Sequence, residues 1–412
     1  MIENSGLQSI HVQKRTLFIV LFSMLFSIQA PFYIGVVSLF LYVITKKSEW
    51  MYIFFISFIL LFCNMNLNKE IWAFGDFLGV GNDLGWYSTQ WFSFAEYPHG
   101  YMSIFDSDFV MFINDGFLVQ PKITEPVYHS FSYFFSRLTD GNYIFYTYFI
   151  TTFIYLPACI VIYKILESEK VDAILIALVL IFFIFFSMKF TNMFNMIRHY
   201  CSGSFLIITL YFIYFDRVKW AIFFGVIAIL THNAAVVVCA IYGLVYLIER
   251  SPIKSDYKKL LGVVLGASCL SIAYLAVYFL TFTNYEELDD RGSGLLFKFL
   301  DLIIVTLSIF AYSSTKKSKL DKLWFYYIAV IILISFMHLT SFLQLRYYAY
   351  FDYFRWIGII YIFNALMRVT KYHFLLLIVA LCGFLFFLWL RISISDFDFD
   401  GMFHNYFLLR YV

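Results

Sequence analysis

The sequence predicts an all-α fold: a polytopic integral membrane bundle of 11–13 transmembrane helices with one long external loop. Three observations predict it. Apolar residues make up 62% of the 412 positions and charged residues 14%, whereas soluble domains hold roughly 45–50% and about 25%. A chain of this length cannot hide so much apolar surface in a water-soluble core. Its apolar residues also fall in long runs separated by short charged stretches, and its basic residues crowd into alternate connections between those runs.

In chain order, the runs predict helices near 16–29, 32–45, 50–66, 142–163, 172–188, 198–214, 219–231, 233–248, 260–281, 296–313, 323–338, 347–366 and 373–391. A full span takes about 20 residues. The short pairs 16–29/32–45 and 219–231/233–248 therefore read either as two helices each or as one long kinked helix each. The first run starts at Thr16, and the small-residue stretch "SIQA" at its end is followed by Pro31. It reads as an uncleaved anchor rather than a cleaved signal. The whole of 1–412 reads as a single membrane domain.

Sidedness follows from lysine and arginine. With the N-terminus in the cytoplasm, the cytoplasmic segments carry 18 of the 29 basic residues, including "ERSPIKSDYKK" and "SSTKKSKLDK". The C-terminus then lies outside, as does the long loop 67–141. That loop holds Trp72, Trp86 and Trp91 among many other aromatics, so it predicts short helices lying at the membrane interface, with 127–138 amphipathic or re-entrant. Its stripe Trp72, Trp86, Tyr87, Trp91, Tyr97 and Tyr101 fits either an interfacial belt or a surface on which sugars stack.

Several functions are disfavoured. The six cysteines all fall in apolar runs, which suits packing thiols and argues against a disulfide framework or a zinc site. There is no glycine-rich nucleotide motif, nothing points to a nucleic-acid partner, and the lipid bilayer is the surrounding medium. No internal repeat is visible, although transporters that rock about a midplane site are commonly built from one.

The ionisable residues on the external side do not behave as loop charges. "NMFNMIRHYCSGSFLIITLYFIYF", from Asn192 to Phe215, puts Arg198 and His199 at the mouth of an apolar helix. A charge at membrane depth costs roughly 2.5–3.5 kcal/mol on insertion scales. Asp83 in "GVGND", Glu125 in "TEPVY", His232 in "ILTHNAAV", and Arg346 and Arg355 in "LQLRYYAYFDYFRW" share that side. Each has a plain structural reading. Arg198, Arg346 and Arg355 can anchor at the interface. Asp83 suits a turn, Glu125 a helix cap before Pro126, and His232 a helix break. Their gathering on one side points instead to a shared polar site.

The order "GND" with "WYS", then "EPVY", "NMIRHY", the lone histidine of "AILTHNAAV" and "RYYAYF" resembles the EpsG-like family of bacterial polysaccharide polymerases, which includes Wzy-type O-antigen polymerases. The matching positions are Gly81, Asp83 and Tyr87; Glu125 and Pro126; Arg198; His232; and Arg346 with Tyr347. His199 stands where the family has glutamine. The resemblance covers roughly Gly75 to Leu366. It implies a GT-C-like, multi-pass protein of the bacterial inner membrane. It further implies a glycosyltransferase that moves a growing glycan from undecaprenyl pyrophosphate to the terminal sugar hydroxyl of another lipid-linked repeat unit at the periplasmic face. No cofactor or metal is implied, and a chain-length regulator is a possible partner.

The residue types suit that chemistry. Arginine forks match phosphate oxygens, which makes Arg198 and Arg346 the leading candidates to hold pyrophosphate, with Arg355 and Arg291 behind them. His232, Asp83 or Glu125 is positioned to take the acceptor proton. His199, Tyr347, Tyr87 and Trp86 complete the substrate-binding set. A ligase acting on the same donor, or a flippase carrying it, are the competing readings; a membrane acyltransferase fits "THNAA" poorly.

Overall fold

The computed structural model describes residues 30–67, 83–106, 109, 121–188, 196–251, 294–313, 319–336 and 349–394. The helices expected at 16–29 and 260–281 lie outside these. Among the described residues the chain is all-helical, with no strand. The helices are α1 (Pro31–Thr45), α2 (Ser48–Leu67), α3 (Asp83–Glu96), α4 (Pro126–Leu138), α5 (Tyr143–Ser168), α6 (Ala173–Phe182), α7 (Ile197–Tyr214), α8 (Val218–Thr231), α9 (Ala235–Arg250), α10 (Gly294–Ser313), α11 (Leu320–Phe336), α12 (Arg355–Val369) and α13 (His373–Ile394). A 3-10 turn, Tyr101–Phe105, lies between α3 and α4, and a π-helical turn, Phe183–Ser187, extends α6. By length and composition, three described segments can cross a membrane: Ser48–Met65, Tyr143–Ser168 and His373–Ser393. Four further apolar helices are shorter.

Two boundaries differ from expectation for physical reasons. Helix α5 runs on past 163 because its last turns bind their own polar groups: Tyr163 Oη and Lys164 Nζ both donate to Glu167, at 2.8 Å. The run expected over 347–366 is broken rather than continuous: residues 349–351 are helical, a turn intervenes at 352–354, and α12 starts at Arg355. The pair 219–231/233–248 resolves into two helices, α8 and α9, separated at His232 by extended backbone (φ −155°, ψ 122°).

Helix α7 organises the centre, packing on α5, α8 and α9. It is buried on nearly all sides, and "CSGS" is the reason its neighbours come so close. Small residues let backbones approach and let hydroxyls bond across helices. Ser202 Oγ donates to the Ala228 carbonyl and Ser204 Oγ to that of Ile154, each at 2.9 Å. A Cβ at Gly203 would run into the ring of Tyr353, whose hydroxyl donates to the Tyr200 carbonyl at 2.7 Å.

The two ends of α7 differ in charge chemistry. At its C-terminal end, Tyr214 meets Glu169, and the adjacent Asp216 lies 3.4 Å from Arg250 and 3.7 Å from Lys322. These are the segments the basic-residue count puts in the cytoplasm. Arg198 occupies the other end. The 18-residue helix between them is about 27 Å long.

Apolar side chains also face outward. Helix α13 exposes Leu375, Val379 and Phe386. Helix α4 turns Phe131, Phe134, Phe135 and Leu138 outward while burying His129, Ser132 and Ser136. In water that arrangement is upside down; next to lipid it is favourable.

Candidate active site

Glu125, Arg198 and His232 come from three distant stretches and meet in one cluster. Glu125 holds the N-cap position of α4 ahead of Pro126, yet its side chain makes no capping bond. The carboxylate turns inward instead. One oxygen, Oε2, accepts from Arg198 Nη1; the other, Oε1, lies 2.9 Å from His232 Nδ1. The Asn233 backbone N–H reaches the same Oε1 at 3.4 Å, and Asn233 Nδ2 donates to Thr124 Oγ1 at 3.1 Å. The break between α8 and α9 thus serves to deliver His232 and Asn233 together.

Burial pushes the Glu125 carboxyl up, but the hydrogen bond with His232 and the charges of Arg198 and His232 outweigh it and hold it at about 2. Glu125 is therefore a carboxylate at any working pH. That charge is needed locally, because Arg198 sits in the first turn of α7, where the helix dipole is already positive.

Aromatic rings fix the rest. The Arg198 guanidinium lies 5.3 Å from the centre of the Tyr87 ring, a cation–π spacing. Tyr87 packs edge-on against Tyr128, whose hydroxyl is 2.7 Å from that of Tyr146. The rings of His199 and His232 stand 3.8 Å apart and nearly perpendicular, and His199 also faces Tyr350 at 5.7 Å. Five sequence candidates therefore assemble: Tyr87, Glu125, Arg198, His199 and His232.

Arg355 goes elsewhere. It is buried, with Nη2 3.0 Å from Asp301 Oδ2, Nη1 on Asp352, and a further bond to the Ser187 carbonyl at 3.2 Å. Its fork is filled by two carboxylates, so it ties α10 and α12 to the π-helical turn. No signal in the sequence pairs those three residues. Asp83 begins α3, but its side chain and that of Trp86 lie outside the description, as do Arg291, Arg346 and Tyr347. Trp91 packs in the core against Tyr146 and Phe149. Sequence reasoning missed Tyr350, Asn233 and Thr124. Of these, only Asn233 carried a cue, as the neighbour of His232.

Among the described residues the chain is all-helical and rich in apolar helices, with a buried carboxylate bridging an arginine and a histidine, the layout of a membrane protein with a polar cluster. The EpsG family model matches residues 73–406, most of the chain, and the protein belongs to that family, a Wzy-like polymerase family. No curated protein and no solved structure matches the chain.

Proposed function

We propose that the protein is a surface-polysaccharide polymerase of the bacterial inner membrane. In this reading it transfers the growing glycan from undecaprenyl pyrophosphate to the terminal sugar hydroxyl of a second lipid-linked repeat unit on the periplasmic side, with the N-terminus cytoplasmic. The observation that carries the proposal is the Glu125 bridge between Arg198 and His232 in a chain of this family.

The chemistry runs as one displacement. The acceptor oxygen forms a bond to the anomeric carbon of the donor, and the bond from that carbon to the pyrophosphate oxygen breaks, its electron pair leaving with undecaprenyl pyrophosphate. The acceptor proton passes to His232 Nε2, the ring nitrogen remote from Glu125. Glu125 stays ionised, fixes the tautomer through Nδ1 and stabilises the imidazolium that forms, the role of the carboxylate in a carboxylate–histidine pair. It acts as the orienting group, not as the base. Arg198 meets the charge growing on the pyrophosphate, and the N-terminus of α7 adds to it. Arg346 and Arg291 are proposed as further pyrophosphate contacts, Tyr347 and Trp86 as sugar contacts, and Asp83 as the alternative base. A chain-length regulator is the proposed protein partner.

Deleting the gene in a strain with a known O-antigen tests this. Lipopolysaccharide carrying core plus a single repeat supports the polymerase. Bare core on the gel points to ligase loss or, if lipid-linked units accumulate inside, to flippase loss.

A further inference from the structure

His129 has no place in the site so far. It lies on α4 one turn beyond Glu125, its side chain is fully buried, and among the described residues neither Nδ1 nor Nε2 has a hydrogen-bond partner. The rings of Tyr128 and Phe105 stand edge-on to it at 5.3 and 6.2 Å. The charges acting on it are Arg198, Glu125 and Lys122, those of the site and its loop. Buried polar atoms without partners cost stability and are rare in native structures. A leucine would pack here at no such cost, so two polar atoms at this position call for a use.

Burial, and then the charge of Arg198, hold this imidazole down at about 3. It is therefore neutral and offers one N–H donor and one lone pair. The lone pair needs a donor, which a sugar hydroxyl supplies and an ionised phosphate oxygen does not; the N–H, on the other side of the ring, takes a separate acceptor.

We propose that His129 is a substrate-contacting residue whose unprotonated ring nitrogen accepts a hydrogen bond from a hydroxyl of the donor sugar next to the pyrophosphate. The identity of that sugar's carrier rests on the polymerase reading. Access requires Phe105 to move aside. The 3-10 turn that carries Phe105 belongs to a small separate apolar cluster, made by Phe94, Tyr97, Ile104, Phe109 and Tyr133, so its displacement leaves the main core closed. The turn is pinned to α4 by the 2.6 Å bond between the Tyr101 and Ser130 hydroxyls.

The test uses the full chain in nanodiscs, the natural lipid-linked repeat unit, and analogues lacking one hydroxyl each on the sugar joined to pyrophosphate. The wild type loses about tenfold in kcat/KM on one analogue, the worth of a hydrogen bond. His129→Phe loses about tenfold on the natural donor and nothing more on that analogue. Its Tm is at least that of the wild type, because two unpaired atoms are gone. His129→Asn, which keeps a donor and an acceptor, regains part of the rate. Near-normal kcat/KM in His129→Phe, or a uniform loss across the analogue series with a lowered Tm, overturns the proposal. If His129→Phe does not fold, His129→Leu makes the same comparison. If the wild type forms no polymer, the polymerase reading fails on its own. His129 is then judged by ligand-induced Tm shifts: a larger shift with the natural unit than with one analogue, absent in the variant, sustains it, and equal shifts reject it.

Discussion

Glu125→Gln keeps the shape of the side chain and removes its charge. Arg198, whose side chain is 17% exposed, then loses its counter-ion at the positive end of a helix dipole, and His232, 11% exposed, loses the carboxylate beside Nδ1. The carboxyl is lowered from 4.5 to about 2, which corresponds to roughly 3 kcal/mol of stability at neutral pH. Removing one member of a buried pair costs about 3–5 kcal/mol in general, so two routes agree. The sign is fixed by the direction of the shift. A depressed carboxylate contributes fully above its unfolded value near 4.5, and the contribution is lost as pH falls toward 2. Denaturant unfolding of the detergent-solubilised protein, followed by tryptophan fluorescence, measures it. The wild type exceeds Glu125→Gln by about 3 kcal/mol at pH 7, and the gap falls to less than half of that by about pH 3. A gap under about 1 kcal/mol at pH 7, or one that stays constant down to pH 3, rules out a stabilising Glu125 carboxylate. Polymerisation by the variant falls by about 10²–10⁴-fold, because the amide no longer balances the imidazolium.

Arg198→Ala lowers the polymerisation rate about 10²–10³-fold, and Arg198→Lys, which keeps the charge but not the planar fork, retains a small residue of it; a normal ladder from the alanine variant makes Arg198 an interfacial anchor. His232→Gln lowers kcat by about 10²–10⁴-fold with the protein still folded; a near-normal rate moves the base to Asp83. Arg355→Ala takes the cation from the buried Asp301 and one of the partners from Asp352, and costs about 3–5 kcal/mol in an unfolding titration, whether or not substrate is present. Gly203→Ala forces the Tyr353 ring away from α7 and costs about 1–3 kcal/mol, read as a lowered midpoint of unfolding.

Hydropathy made the helices legible because the bilayer demands long apolar runs whatever their partners. It did not reveal the inverted face of α4. "HSFSYFFSRL" looks like any amphipathic helix, and only the packing shows that His129, Ser132 and Ser136 face in while Phe131, Phe134 and Phe135 face out. The external polar residues were visible as misfits, and the break at His232 followed from its two short flanking runs. The place of Arg355 was hidden for a different reason. An arginine near the end of an apolar run looks the same whether it awaits a ligand or already holds Asp301, 54 positions away. Glu125 was legible as a helix cap and occupies that position, but the diversion of its carboxylate depends on two helices that arrive 73 and more residues later. His129 gave no signal, since a histidine inside an aromatic helix resembles packing until its unpartnered nitrogens are seen.

In the proposed function, glycosyl transfer from a lipid pyrophosphate occurs at the Glu125–Arg198–His232 cluster. Its most direct test is polymerisation by the purified chain in nanodiscs, supplied with lipid-linked repeat units and no nucleotide sugar, measuring glycan length and released undecaprenyl pyrophosphate together. The expected result is a ladder in the wild type, with one undecaprenyl pyrophosphate released per bond formed, and neither product from Arg198→Ala or Glu125→Gln in the same time. Lipid-linked units left unpolymerised by the wild type, or an equal ladder from both variants, contradicts it.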